Sequence, residues 1–169
     1  MLMKNVLIYV FLFLSPLLFF SAYAQKDTII RRSPVKTLTD AQYNAILKGD
    51  DVNNTAASAT MNGYPLPDKV LKYKKELNLT PAQLKQFDEI MKTLDLKKRE
   101  VAVSVIRNEK MLDSMFRRRF VNEGSIVFYG NRYGLYQGEL RTALLTACFN
   151  TRKVLTPYQL NKFYTLEKP

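Results

Sequence analysis

Apolar residues recur through the middle of the chain in alternating steps of three and four. They fall at Leu84, Phe87, Met91, Leu94, Val101, Val105, Leu112 and Met115, with polar gaps at Lys98 and Asn108. That spacing keeps one stripe on one helix face and predicts a single helix from Thr80 over roughly forty residues, about 60 Å long. A helix of that length needs a long partner surface, such as an elongated hairpin or a coiled-coil-like neighbour. Val101, Val103 and Val105 also alternate with period two, but a strand there would be isolated, so the helix is preferred. Asn122-Glu123-Gly124-Ser125 predicts the break, with glycine as the stop and serine as the next cap. A second long helix is expected over 126–153, with Tyr133, Tyr136, Leu140, Leu144 and Ala147 at helical spacing. No proline interrupts the chain between Pro81 and Pro157, as two long helices require. Gly130, Gly134 and Gly138 recur every four residues, and each costs about 1 kcal/mol relative to alanine. They either admit the backbone of another helix or mark an irregular, kinked stretch over 128–134.

Each long element is bounded by a recurring helix-start signature. Leu79-Thr80-Pro81-Ala82-Gln83-Leu84 returns as Leu155-Thr156-Pro157-Tyr158-Gln159-Leu160. Threonine is the N-cap, and proline fills the first helical position, where its missing donor costs nothing. Glutamine reaches back to close a capping box, and the flanking leucines have the spacing of a hydrophobic staple. Together these devices stabilise a helix end by roughly 1–2 kcal/mol. Leu79, Thr80, Gln83, Leu155, Thr156 and Gln159 are therefore assigned to holding helix ends.

The flanks are plainer. Residues 25–36 are polar and basic and are expected to form a disordered arm. Leu38-Thr39-Asp40-Ala41-Gln42 repeats the capping pattern without proline, predicting a short helix over 39–48 that Gly49 ends. Residues 51–63, rich in Asn, Ala, Thr and Ser, lack a periodic apolar face and are expected to be a linker. The helical domain proper is expected over 64–169. It opens with a short helix over 68–77 carrying Val70, Leu71 and Tyr73, and closes with one from Thr156 carrying Leu160, Phe163 and Leu166.

The N-terminus changes the setting. Lys4, an apolar run over 6–20 and Ala22-Tyr23-Ala24 predict a secretory signal peptide, residues 1–24, cut before Gln25. The expected location is the periplasm. The full chain carries a formal charge of +11, and loss of the leader removes only Lys4. Such basicity suits anionic partners, and export argues against nucleic acid. The one cysteine, Cys148, has no internal partner and lies in an apolar helical stretch, which favours a buried small hydrophobe over an intermolecular bond.

Chemistry at a catalytic site has little support. There is no histidine, which removes the commonest general base and transition-metal ligand. Asp88 and Glu89 are helix neighbours that point apart, and no phosphate-cradling glycine loop follows a strand. Met111 and Met115 sit one turn apart and have the softness for copper, but core packing is the simpler reading. No enzyme activity, cofactor or metal is expected.

The paired Leu-Thr-x-x-Gln motifs, their separation by two long helices, the export signal and the basic charge together resemble the Spy/CpxP family of periplasmic stress proteins. The resemblance spans about residues 71–163 and rests on Leu77-Asn78-Leu79-Thr80-Pro81-Ala82-Gln83 and Val154-Leu155-Thr156-Pro157-Tyr158-Gln159. Residues 25–63, with a third motif copy, depart from it. The resemblance implies an all-α chain built as an elongated helical hairpin with short flanking helices, paired into an antiparallel, cradle-shaped homodimer. It implies an ATP-independent chaperone for unfolding envelope proteins, or a periplasmic inhibitor of a stress-sensing kinase. A related metal-sensing branch depends largely on histidine, which this chain lacks.

Basic and aromatic residues interleave where a client would be held. Lys97, Lys98, Arg99, Arg107, Lys110, Arg117, Arg118 and Arg119 outnumber Glu100, Glu109 and Asp113. Phe116 and Phe120 lie among them, and Phe128, Tyr129 and Tyr133 follow across the turn. Positive charge attracts acidic clients at a distance, while arginine stems and aromatic faces hold apolar segments without demanding one sequence. The candidate client-binding set is Arg107, Phe116, Arg117, Arg118, Arg119, Phe120, Phe128, Tyr129 and Tyr133. The plainer alternative makes the charges a solvated face and the aromatics core. An envelope protein that binds anionic polymer or lipid through net charge is a third reading.

Overall fold

The computed structural model describes residues 30–168, so the expected signal peptide lies outside the described residues. The described chain is all-α, with no strand: α1 (Asp40–Lys48), α2 (Ala57–Thr60), α3 (Pro67–Lys72), α4 (Pro81–Arg117), α5 (Glu123–Val154) and α6 (Pro157–Glu167). Val101, Val103 and Val105 lie within α4, which runs 37 residues without a break. Its apolar stripe turns inward through Phe87, Leu94, Val101 and Val105, joined by Ala102. Both polar gaps in the stripe have a structural use. Asn108 is buried, and its Nδ2 donates to the Tyr129 carbonyl at 3.1 Å. The Lys98 stem lies against Gly49, where an added Cβ would come within 2.6 Å of the Lys98 Cβ. Gly49 also holds φ +62° as the left-handed cap of α1, so it answers two demands at once.

Three contacts fix the direction of α5 against α4. Gln83 reaches the Val154 carbonyl, Lys97 approaches Glu139 at 3.7 Å, and Asn108 meets Tyr129. The two long helices therefore run antiparallel. Their middle is filled by Leu94, Val101, Val105, Leu140, Leu144 and Ala147, with Ala56 closing the cluster. A second cluster, at the α4 N-terminal end, joins Val70, Leu77, Phe87, Leu155 and Phe163. α3 is shorter than the expected 68–77, and the chain reaches Leu77 through turns before Asn78 takes φ +49°.

The break between the long helices differs from the sequence expectation. Arg119, at φ +58°, is the left-handed residue after α4, and the N–H of Phe120 bonds back to the Met115 carbonyl at 3.2 Å. That is a Schellman closure made by an arginine instead of a glycine. Gly124 is not the stop but part of the first turn of α5. Asn122, not Ser125, is the N-cap: its Oδ1 accepts from the Ser125 N–H at 2.9 Å, and the Ser125 hydroxyl accepts from the Asn122 N–H at 3.0 Å. Asparagine caps as well as serine, and here the serine completes the box from the third position.

Within the described residues the glycine series neither interrupts its helix nor receives another helix. α5 is one unbroken helix through Gly130, Gly134 and Gly138, and a Cβ at any of them would meet nothing within 4 Å. They face open space, and no helix among the described residues lies against them. Gly134→Ala is therefore expected to raise stability by about 0.5–1 kcal/mol, the helix-interior cost of glycine. A thermal melt with an unchanged or lower midpoint would contradict that.

Residues 51–63, expected as a linker without a buried face, supply Ala56 to the core. The Asp51 carboxylate organises the segment, accepting from the Thr55 N–H at 2.7 Å, the Thr55 hydroxyl at 2.8 Å and the Ala56 N–H at 2.9 Å. Burial pushes the Asp51 pKa upward, but these donors outweigh it and hold the carboxyl below its ordinary range. Further on, the Arg152 guanidinium donates to the Gly63 carbonyl at 2.6 Å and stacks over Tyr64. The described part of the expected arm is also tied down. Val35 is buried, Asn44 exchanges hydrogen bonds with the Arg31 backbone, and the Ser33 N–H donates to Asp40. One small alanine and local side-chain caps leave no periodic signal in a sequence.

Cys148 is fully buried, and burial, with Asp68 and Asp51 adding, pushes its thiol up to about 11. The thiol is therefore protonated at neutral pH.

Candidate functional site

The two motif copies, 76 residues apart, meet at one end of the α4–α5 pair. Thr80 Oγ1 accepts from the Gln83 N–H at 3.2 Å, while Gln83 Oε1 accepts from the Thr80 N–H at 3.0 Å. Thr156 and Gln159 repeat the box at the same distances. The glutamine amides then bond each other: Gln83 Nε2 donates to Gln159 Oε1 at 2.8 Å, and Gln159 Nε2 to Gln83 Oε1 at 3.1 Å. The remaining amide protons go to the Val154 carbonyl at 2.9 Å and the Leu77 carbonyl at 3.2 Å. Val154 is the last residue of α5, so Gln83 of one helix satisfies an orphan carbonyl of the other. Each amide uses both donors and accepts twice, which is its full capacity. Leu79, Leu155 and Leu160 pack in the apolar cluster behind. The third copy closes its own box at Thr39 and Gln42 but bonds to neither of the other two. The duplicated motif was visible in sequence; the amide pair linking the copies was not.

The basic and aromatic residues gather at the opposite end, about 50 Å away along α4 at 1.5 Å per residue. Phe116, Phe120 and Phe128 are each about half exposed. Arg107, Arg118 and Arg119 are exposed, and Arg117 reaches Asp113 at 3.5 Å. Phe128 meets the edge of the half-buried Tyr129 with ring centroids 5.1 Å apart. Arg132 lies over the Phe128 ring at 5.2 Å and also donates to the Tyr136 hydroxyl. Phe128 and Arg132 border an open hollow of about 560 Å³ with Val127 and Leu135. Tyr133 stands apart from this group and lines a different hollow, beneath α1. Sequence reasoning missed Arg132, Ile126, Val127 and Leu135. Their signal was an α5 whose apolar residues continue round to its outer side.

A third feature is a groove of about 1,030 Å³ between α4 and α5, lined by Ile90, Thr93, Leu135, Gly138, Thr142 and Thr146 among others. Its charges are mixed, with Lys97 bridging Glu100 at 2.9 Å and Glu139 at 3.7 Å. Positive charge continues along the pair, through Lys85, Lys92, Lys97 and Lys98 on α4 and Arg141, Arg152 and Lys153 on α5. The arginines cluster at the turn end, beside the exposed aromatics. Such a surface suits polypeptide with apolar and acidic groups. Among the described residues no three acidic or thiol side chains converge as a metal site would require. No described helix is long and apolar enough to cross a membrane.

No protein-family model matches this chain, and no curated protein or solved structure matches it either.

Proposed function

We infer that the chain is an ATP-independent holdase for unfolding envelope proteins, exported to the periplasm and acting as a homodimer of α4–α5 hairpins joined into a cradle. The observation that carries this reading is the α4–α5 turn end. Phe116, Phe120, Ile126, Val127 and Phe128 are each about half exposed there, beside Arg117, Arg118, Arg119 and Arg132. Phe116 and Phe128 line separate hollows at this end, and large exposed apolar areas commonly mark binding sites. The resemblance of the paired motifs to Spy/CpxP proteins, with the secretory leader expected from residues 1–24, supports the setting. Arginine steers acidic clients inward, and its stem with the aromatic faces then holds apolar segments without reading one sequence.

The test is aggregation of a denaturant-unfolded acidic client, with and without the mature chain, in the absence of ATP and at two salt concentrations. Near-stoichiometric suppression that weakens with salt is expected. Arg117→Glu, Arg118→Glu and Arg119→Glu combined should raise the amount needed for half protection about tenfold, equivalent to ~1.4 kcal/mol. Unchanged protection would remove these arginines from the site. Failure to protect several clients would shift the reading to an adaptor that binds the periplasmic domain of a sensor kinase.

A further inference from the structure

α1 is held on α4 by apolar contact alone. The helix lies along the second half of α4, where it covers Val101, Ala102 and Val105, each almost completely hidden from solvent. Yet no residue of α1 is itself fully buried, and a hollow of about 540 Å³ remains beneath it. Ile46 reaches the edge of the core cluster. Among the described residues no hydrogen bond or ion pair joins α1 to α4 or α5; its side-chain bonds stay within the segment, such as Asn44 with Arg31 and Asp40 with Ser33. The ends are firmer than the centre. Val35 is buried ahead of α1, and Gly49 and Ala56 are packed after it. A nine-residue helix is marginal alone, but this one is capped at both ends.

We propose that α1 is a displaceable strap over a helix-binding strip, and that the strip formed by Val101, Ala102, Val105 and Leu140 takes a short amphipathic helix of a client in its place. The resident helix defines the occupant. Ala41, Gln42, Ala45 and Ile46 of α1 line the hollow at the i, i+1, i+4 and i+5 positions of a helix laid in a groove, with Leu38 joining them from just ahead of the Thr39 cap. An incoming segment needs aliphatic or small residues at that spacing. The uncovered strip is continuous with the mid-pair core cluster, so lifting α1 exposes apolar surface without unpairing α4 from α5. The consequence for clients rests on the holdase reading; the strap itself does not.

Hydrogen exchange on the unaltered full chain tests the strap. Amides 43–48 should exchange at least about a hundredfold faster than amides 101–105, since both helices are hydrogen-bonded but only α4 carries fully buried residues there. Equal protection would overturn the strap. A labelled synthetic peptide of residues 37–50 then probes the strip in trans. It should bind the full-length Ile46→Glu chain at least tenfold more tightly than the wild type, whose own α1 competes. The same peptide carrying Leu38→Asp and Ile46→Asp should bind neither. Equal binding of the unmodified peptide to both chains, or none to either, would overturn the strip. Client protection by Ile46→Glu is read separately: a gain over wild type supports helix capture, and no gain alongside normal peptide binding limits the strip to the chain's own α1.

Discussion

Replacing Gln159 with leucine is expected to destabilise the chain by about 2–4 kcal/mol, more than a single helix cap provides. Gln159 is only 7% exposed and serves four hydrogen bonds within one junction. Leucine would leave the Leu77 carbonyl and one Gln83 donor without their protein partners, and the Thr156 N–H would lose its box. Each buried orphan costs about 1–3 kcal/mol, whereas the net value of a satisfied bond is nearer 1 kcal/mol. The change therefore costs more than the bonds appear to contribute. Urea denaturation of the purified chain gives the number directly. The double change Gln83→Leu with Gln159→Leu should cost less than the two singles added, because each single strands the other amide. Strict additivity would mean that the two motifs cap their helices independently and that the amide pair has no energetic role.

That junction marks the boundary of what the sequence discloses. The long helices were legible because their apolar residues keep step over many turns, and a stripe holding Phe87, Leu94, Val101 and Val105 has no other regular solution. The capping boxes were legible because each lies within four residues. What joins two boxes 76 residues apart leaves no local trace. The same holds for Ala56, whose burial follows from a fold-back directed by the Asp51 carboxylate, in a stretch with no apolar period. Gly124 misled because glycine usually marks a helix stop, while here Arg119 accepts the left-handed conformation and Asn122 provides the cap. At the turn end, sequence located the arginines and phenylalanines but not which aromatics share a hollow. Tyr133 and Phe128 are five residues apart and line different ones.

Two phenylalanine truncations separate the end that holds the fold from the end assigned to binding. Phe87→Ala is expected to cost about 3–5 kcal/mol and to lower the thermal midpoint by about 10 °C or more. Phe87 is completely buried among Val70, Leu77, Leu155 and Phe163, directly behind the motif junction, and alanine would leave a cavity that these side chains fill only in part. Phe128→Ala removes the same atoms from a ring that is 51% exposed. It loses an edge contact with Tyr129 and the stacked Arg132, so its cost should stay within about 1 kcal/mol. The functional order should be the reverse. Below its melting midpoint, Phe87→Ala should protect an unfolded client as well as wild type per folded molecule, because the turn end lies at the far end of α4. Phe128→Ala should protect measurably less despite its near-normal melt. If both variants lose protection in proportion to stability, the exposed aromatics do not bind clients and the holdase reading loses its main support. If Phe128→Ala melts as badly as Phe87→Ala, the ring belongs to the core and the patch at the turn end is smaller than it looks.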